Sequence, residues 1–343
     1  MKSSILIIYT GGTIGMKEDP QDGTLKPFDF SQIKDEVPEL NKFDVRIDSY
    51  TFDPLIDSSD MEPSIWVQLA QLIAERYEDY DGFVILHGTD TMAYSASALS
   101  FMLEGLTKPV IFTGSQLPIG VPRTDGKENL ISAVEIAAAK DHEGHARVPE
   151  VCIFFDSKLL RGNRSTKYSA EAFNAFASPN CPPLAEAGIN IRYNTDIIRK
   201  PVYWDAMLRV QTQLDTRVAI FKVHPGMTPQ VMRAVVADPL TRACIIETYG
   251  SGNAPSKPWF LDLLKEAGDA GKILLNVTQC KAGTVNMDLY ATGASLKHVG
   301  VLSGADITTE AALGKLFSLM GRSQNDKWVK TMLEKDLCGE ISK

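Results

Sequence analysis

The sequence predicts an α/β protein made of two α/β domains with mostly parallel sheets, a larger N-terminal one and a smaller C-terminal one. Three observations lead there. Short apolar runs such as Ile5–Tyr9, Phe83–Leu86 and Val151–Phe155 alternate with helical patterns, the rhythm of βαβ units whose strands are buried on both faces. At 343 residues the chain is long for a single core. The rhythm also breaks from about Pro179 to Thr216, where Pro182-Pro183, Gly188 and Pro201 fall among scattered charges, and then resumes. The expected boundaries are 1–190 for the N-terminal domain, 191–216 for a linker and 217–343 for the C-terminal domain.

Element by element, Ile5–Tyr9 reads as a strand and the Gly/Pro/Asp-rich stretch Met16–Phe30 as a loop. Met61–Tyr77 places Ile65, Leu69, Leu72 and Ile73 on one face behind Pro63, as an amphipathic helix does. Phe83–Leu86 is a strand, Thr91–Glu104 an Ala/Ser-rich helix, Val110–Phe112 a strand, Asn129–Ala139 a helix and Val151–Phe155 a strand. After the irregular stretch come strand Val218–Val223, helix Pro229–Ala237, strand Ala243–Thr248, helix Trp259–Ala267 and strand Ile273–Val277, with two more helices between Thr309 and Leu337.

Composition narrows the classes of partner. A net charge of -8 and a pI of about 5.3 argue against a nucleic-acid surface, which needs a basic field. No apolar stretch reaches the roughly 20 residues of a membrane helix, and the run after Met1-Lys2 is too short for a signal peptide. The five cysteines are an odd number without CxxC spacing, which suggests buried free thiols in a reducing compartment, the cytoplasm.

Two turns carry the chemistry. Thr10-Gly11-Gly12-Thr13-Ile14-Gly15 follows the first strand, and His87-Gly88-Thr89-Asp90-Thr91 follows Phe83–Leu86; open α/β sheets place ligands at such carboxyl ends. A threonine hydroxyl becomes a nucleophile when a base takes its proton and the backbone exposes it, and Gly11, Gly12 and Gly15 permit that exposure. The same residues also read as a tight turn with Thr13 capping a helix, or as a weak phosphate loop that is neither GxGxxG nor a Walker sequence. Thr89 and Asp90 are either ordinary helix caps, or a pair in which Asp90 holds an ammonium group while Thr89 orients or activates a water.

Lys167, at the end of Arg161-Gly162-Asn163-Arg164-Ser165-Thr166-Lys167, is a solvated charge or, beside Thr89 in a cleft, a desolvated amine able to accept a proton. Asp57-Ser58-Ser59-Asp60 is a cap cluster or a clamp for both ends of an amino acid. The histidines His87, His142, His145, His224 and His298 show no metal spacing, and Cys280 reads as a small core residue, so neither a metal nor a cofactor is expected.

Taken together these segments resemble the bacterial-type L-asparaginase family, and within it the cytosolic type I enzymes. The matching stretches are Thr10–Gly15, Asp57–Met61, His87–Leu99, Thr113–Pro118, Arg161–Lys167, Ala175–Asn180, Tyr249–Pro255 and Thr278–Cys280, in the family's order. The resemblance implies hydrolysis of L-asparagine to L-aspartate and ammonia through an ester on Thr13. Thr89, Asp90 and Lys167 would form a second triad; Asp57, Ser58, Ser59, Thr89 and Asp90 would bind substrate, with Asp60 close by. It also implies a homo-oligomer, an intimate dimer that can pair into a tetramer. One extra methylene is worth only about 1–3 kcal/mol of discrimination, so glutamine, or the amide step of a transamidation complex, stays open as an alternative. A catalytically silent amino-acid sensor and a nucleotide-binding Rossmann-type enzyme are the readings from other classes.

The sequence departs from the family in three places. Members commonly carry a tyrosine in the loop after the first motif, whereas Asp22-Gly23-Thr24-Leu25-Lys26-Pro27 has none; Tyr9 and Tyr94 are left without a role. Gly283-Thr284-Val285-Asn286 offers no acidic group of the kind periplasmic relatives lend to a partner subunit. Thr278, Gln279 and Cys280 match part of an activating asparagine site, but Glu247 stands where the family's arginine aligns. A carboxylate there repels the effector's carboxylate, so activation is expected to be weak or absent.

Overall fold

The computed structural model describes residues 2–18, 25–27, 33–289 and 291–342. The chain divides into two compact units between Thr212 and Gln213.

The first unit is built on an eight-stranded sheet in the order Ile191–Tyr193, Ala185–Ala187, Lys158–Arg161, Val151–Phe155, Val110–Thr113, Gly82–Leu86, Ser3–Tyr9, Val45–Thr51. The last five are mutually parallel. Gly82–Leu86 and Val151–Phe155 are buried at every position, as continuous apolar runs in a parallel sheet require. Helices Pro63–Glu75, Met92–Met102 and Gly126–Ala138 cross between these strands. Register decides where function gathers: Tyr9 pairs with Leu86, so the turns beginning at Thr10 and His87 leave the sheet side by side. Thr10 then donates from both its N–H and its hydroxyl to the Leu86 carbonyl, at 3.0 and 2.9 Å.

Several expectations need correction. Val45–Thr51 is an edge strand that the apolar pattern did not reveal, because Arg46, Asp48 and Ser49 interrupt its apolar residues. Within the stretch expected as a loop, Met16–Glu18 pairs antiparallel with Leu25–Pro27. Residues 19–24, which include Asp22, Gly23 and Thr24, lie outside the described residues, as do 28–32. The segment expected as a linker from 191 begins inside the first unit's sheet: Ala185–Ala187 turns through Gly188-Ile189-Asn190 into Ile191–Tyr193 and adds to the Lys158–Arg161 edge. Arg209–Val210 likewise pairs with Leu103–Glu104, which ends the preceding helix at Met102. Short antiparallel edges with charged outward positions carry little apolar periodicity.

The second unit is a four-stranded parallel sheet in the order Val218–Lys222, Ala243–Thr248, Ile273–Thr278, Leu302–Ser303. Helices Pro229–Val236, Pro258–Asp269, Thr309–Arg322 and Asp326–Leu333 accompany it. The Thr308 hydroxyl caps the third of these by accepting from the Ala311 N–H. Lys315 on that helix is fully buried, and its ammonium lies 2.6 Å from the equally buried Glu340 carboxylate while donating to the carbonyls of Leu333 and Lys335. Glu340 also accepts the N–H groups of Leu337 and Cys338, so this one ion pair fastens the C-terminal segment to its helix.

Candidate active site

The two threonine turns meet through glycine. A Cβ on Gly12 would lie 2.5 Å from the Gly88 nitrogen, and one on Gly11 would lie 2.1 Å from the Ile56 carbonyl oxygen. Both residues have positive φ, +90° and +141°, so the backbone conformation and the contact each demand glycine. A Cβ on Gly88 would in turn collide with the Ser58 hydroxyl at 2.4 Å. The two turns therefore touch main chain to main chain at Gly12 and Gly88, the first also meets the Ile56 backbone, and the Ser58 side chain packs on the second. Thr13 opens the short helix Thr13–Gly15 and is half-buried, as is Thr89. The N–H groups of Thr13 and Thr89 donate to no acceptor among the described residues.

Lys167 reaches this place from a turn packed on helix Met92–Met102. That helix buries small side chains on nearly every face. A Cβ on Gly162 would come 3.1 Å from the Ala96 methyl, and the Ser97 hydroxyl donates to the Gly162 carbonyl at 3.4 Å. The turn Gly162–Arg164 is thus pressed on the helix, with Arg161 before it held in a buried ion pair to Glu150 at 2.6 Å and donating to the Ile197 carbonyl. From that anchor Lys167 donates to Thr89 Oγ1 at 2.9 Å and to Asp90 Oδ1 at 2.6 Å. Its side chain is 20% exposed and that of Asp90 62%. An amine, a hydroxyl and a carboxylate in one hydrogen-bonded row can hold and pass a proton.

The Asp57 segment is more structural than its residue types suggested. Asp57 Oδ1 accepts both the N–H and the hydroxyl of Ser59 at 2.9 Å. These bonds, the backbone one first, hold the Asp57 carboxyl below its ordinary range. Ser58 is buried and its carbonyl accepts from the Thr91 hydroxyl at 2.7 Å. Thr91 therefore binds across to this segment and makes no capping bond to its own helix. Asp60 is exposed at the end of the turn.

Two buried rings that the sequence reading left aside lie beneath the turns. Tyr9 donates to the Gly12 carbonyl at 3.3 Å, and burial pushes its phenol up to about 12. His87 Nδ1 is 2.6 Å from the Gly88 carbonyl and Nε2 is 2.9 Å from Ser95 Oγ, which also accepts from Trp66 Nε1 at 2.8 Å. Desolvation brings His87 down to about 4 despite the Gly88 bond. A polar ring closing an otherwise apolar run, one or two residues before a glycine, was the available signal.

In the second unit, Glu247 accepts from the Thr309 hydroxyl at 2.7 Å and faces Lys222 at 3.8 Å. Gln279 donates to the carbonyls of Val223 and Glu247, and Thr278 to that of Gly250. Cys280 is exposed, which corrects its reading as a core residue; Cys338 is half-buried, and Cys152, Cys181 and Cys244 are buried. Exposure follows from its place just beyond the end of strand Ile273–Thr278. One group with metal-ligand chemistry exists among the described residues: Asp141, Glu143 and His145 bring one ligand atom each within 4.8 Å of one another. It precedes Val151–Phe155, at the amino end of the sheet, opposite the threonine turns. No helix among the described residues is long and apolar enough to cross a membrane.

Comparison with known proteins bears on this geometry. Residues 4–199 match the family described as Asparaginase, N-terminal, and residues 217–333 match the Glutaminase/Asparaginase C-terminal domain. L-asparaginase 1 of Escherichia coli strain K12 is 45% identical over 345 residues, covering 99% of this chain and 98% of the relative. A 60 kDa lysophospholipase of Mus musculus is 42% identical over 364 residues, covering 98% of this chain and 62% of that longer protein. The crystal structure of L-asparaginase I from Vibrio cholerae superposes with a TM-score of 0.89 at 43% identity, with all of both chains covered. With both halves matched and identity of this order along its whole length, the chain belongs to the asparaginase family.

Proposed function

We propose that this protein is an amidohydrolase that converts L-asparagine to L-aspartate and ammonia. The observation that carries the reading is the meeting of Thr13, Thr89, Asp90 and Lys167 from separate parts of the chain, through the Gly12–Gly88 contact and the Lys167 bonds. Asp90 and the Ser58/Ser59 segment hold the α-ammonium and α-carboxylate, and Asp57 keeps that segment in shape through Ser59. Asp60 closes its rim.

The side-chain amide then lies against Thr13 in a near-attack arrangement. Thr13 Oγ bonds to the amide carbon, and the oxygen's developing charge is met by the free N–H groups of Thr13 and Thr89. The carbon–nitrogen bond breaks, the proton given up by the Thr13 hydroxyl passes to the leaving nitrogen to complete ammonia, and an aspartyl ester remains on Thr13. Water oriented by Thr89, with Lys167 and Asp90 behind it to take up and return a proton, attacks the ester carbon and frees aspartate.

Two copies or more of the chain form the working unit, and the cytoplasm is its compartment, in line with its acidic charge and unpaired cysteines. Thr278, Gln279 and Cys280 do not form an activating site here, because Glu247 supplies a carboxylate where an anion would dock.

The test is steady-state ammonia release against asparagine, with glutamine in parallel. Turnover of asparagine with little of glutamine is expected. Binding of asparagine without ammonia would replace this reading with a sensor.

A further inference from the structure

The turns carrying Thr13 and Thr89 are held from below in the same manner. In each, a glycine precedes the threonine, and its carbonyl accepts from a ring at the end of the preceding strand: Tyr9 to Gly12 at 3.3 Å, His87 to Gly88 at 2.6 Å. Tyr9 is 0% and His87 1% exposed. The proton directions in the second case follow from the partners. Trp66 Nε1 can only donate, so Ser95 Oγ accepts from it and turns its own proton to His87 Nε2, which leaves the Nδ1 proton for Gly88.

We infer that Tyr9 and His87 are positioning residues for the acyl transfer proposed above, each turning the peptide before a reactive threonine so that its N–H faces the substrate. A trans peptide sets its carbonyl and the next N–H in opposite directions. With the Gly12 and Gly88 carbonyls drawn into the core, the N–H groups of Thr13 and Thr89 point outward, where no described residue accepts from them.

Tyr9 also braces the far end of its turn. A Cβ on Gly15 would lie 2.2 Å from Tyr9 Cζ and 2.3 Å from its oxygen, so the ring is wedged between Gly12 and Gly15. Burial keeps both rings in the protonation state that this bracing needs. The phenol, at about 12, retains its proton, and the imidazole, at about 4, stays neutral with a single N–H to give.

The inference rests on the proposed reaction, and the test separates the two. Ammonia release by the wild-type protein comes first and judges the reaction alone. Tyr9→Phe keeps the wedge and deletes the donor, and His87→Phe keeps a ring without nitrogen. Each is expected to lower kcat about tenfold, the worth of one hydrogen bond realised at the transition state, with KM held within about twofold. His87→Gln, which retains a donor, should recover part of the loss. A role confined to stability would lower Tm and leave kcat per folded molecule untouched; that result, or wild-type kcat in both phenylalanine variants, overturns the inference. A readout independent of turnover is the imidazole tautomer from nitrogen-15 NMR, with the His87 signal identified by its absence in His87→Gln. The Nδ1–H form is expected, and an Nε2–H form overturns the inference even in a protein that releases no ammonia.

Discussion

The Lys167 amine lies 2.9 Å from the Thr89 hydroxyl oxygen although 78 residues separate them. The contact is made by packing: the Gly162 turn rests on helix Met92–Met102, and the chain that leaves it extends Lys167 back over the start of the same helix. Replacing the amine by an apolar group of similar length tests what this contact contributes. Lys167→Met is expected to lower kcat roughly 100- to 1,000-fold, with little change in Tm because its partner Asp90 is largely exposed. Lys167→Arg should not restore activity, since a planar guanidinium does not place a proton where an amine does. A Lys167→Met variant that released ammonia at the wild-type rate would remove the amine from the mechanism.

Gly12→Ala probes the contact between the turns. The new methyl would meet the Gly88 nitrogen at 2.5 Å from a residue already at φ +90°. Backbone strain of this kind costs about 1–3 kcal/mol, and an ångström of misplacement lowers rate on the order of 100-fold. Urea denaturation and kcat/KM measured on the same preparation would show both losses. Full activity would mean that the turns need not touch.

Acid should weaken the fold through His87. Its folded value of about 4 lies below the ordinary 6.5, so the folded protein binds fewer protons than the unfolded chain between those limits. The stabilisation is complete above pH 6.5 and is lost as pH falls towards 4, by about 3 kcal/mol at 1.36 kcal/mol per unit. Chemical denaturation at pH 7 and pH 4.5, for wild type and His87→Gln, should show a steeper loss for wild type. Identical losses would assign the acid sensitivity elsewhere.

Asparagine should show hyperbolic kinetics. The Glu247 carboxylate is already engaged by the Thr309 hydroxyl and faces Lys222, and an effector's carboxylate would have to displace these against like charge. A sigmoidal rate curve that becomes hyperbolic in Thr278→Ala or Cys280→Ala would contradict this.

Lys315→Met should strip the ammonium from a fully buried pair and leave the Glu340 carboxylate without that countercharge. The expected cost is about 3–5 kcal/mol, read as a lower urea midpoint. The outcome to watch for is a wild-type midpoint, which would mean the C-terminal segment is fastened by other contacts.

The parts of this protein that were readable from its residues are those where one physical signal dominates. Ile5–Tyr9, Phe83–Leu86 and Val151–Phe155 are apolar because both faces are covered, and runs of that kind have few other readings. Val45–Thr51 went unseen because an edge strand leaves one side to water and admits Arg46 and Asp48. The hairpin through Gly188 hid for the same reason. At the site, Thr13, Thr89, Asp90 and Lys167 stand in motifs, so residue type and order pointed to them. Tyr9 lies outside those motifs and His87 opens one without a role of its own: a tyrosine ending a strand resembles core, and a single histidine resembles any other. Only the 3.3 and 2.6 Å contacts to glycine carbonyls distinguish them. Cys280 is exposed although thiols ordinarily prefer the interior, because residue type says nothing about a position just past a strand's end.

The closeness of the Ala96 methyl to Gly162 makes that residue a spacer for the whole pocket. The thickness of one small buried side chain, set between the helix and the Gly162 turn, determines how far the lysine arm can reach. Enlarging it to valine would lengthen the stroke between amine and hydroxyl without touching either. A search for rate-altering changes confined to pocket-lining positions would therefore pass over one of the more sensitive dimensions of this enzyme.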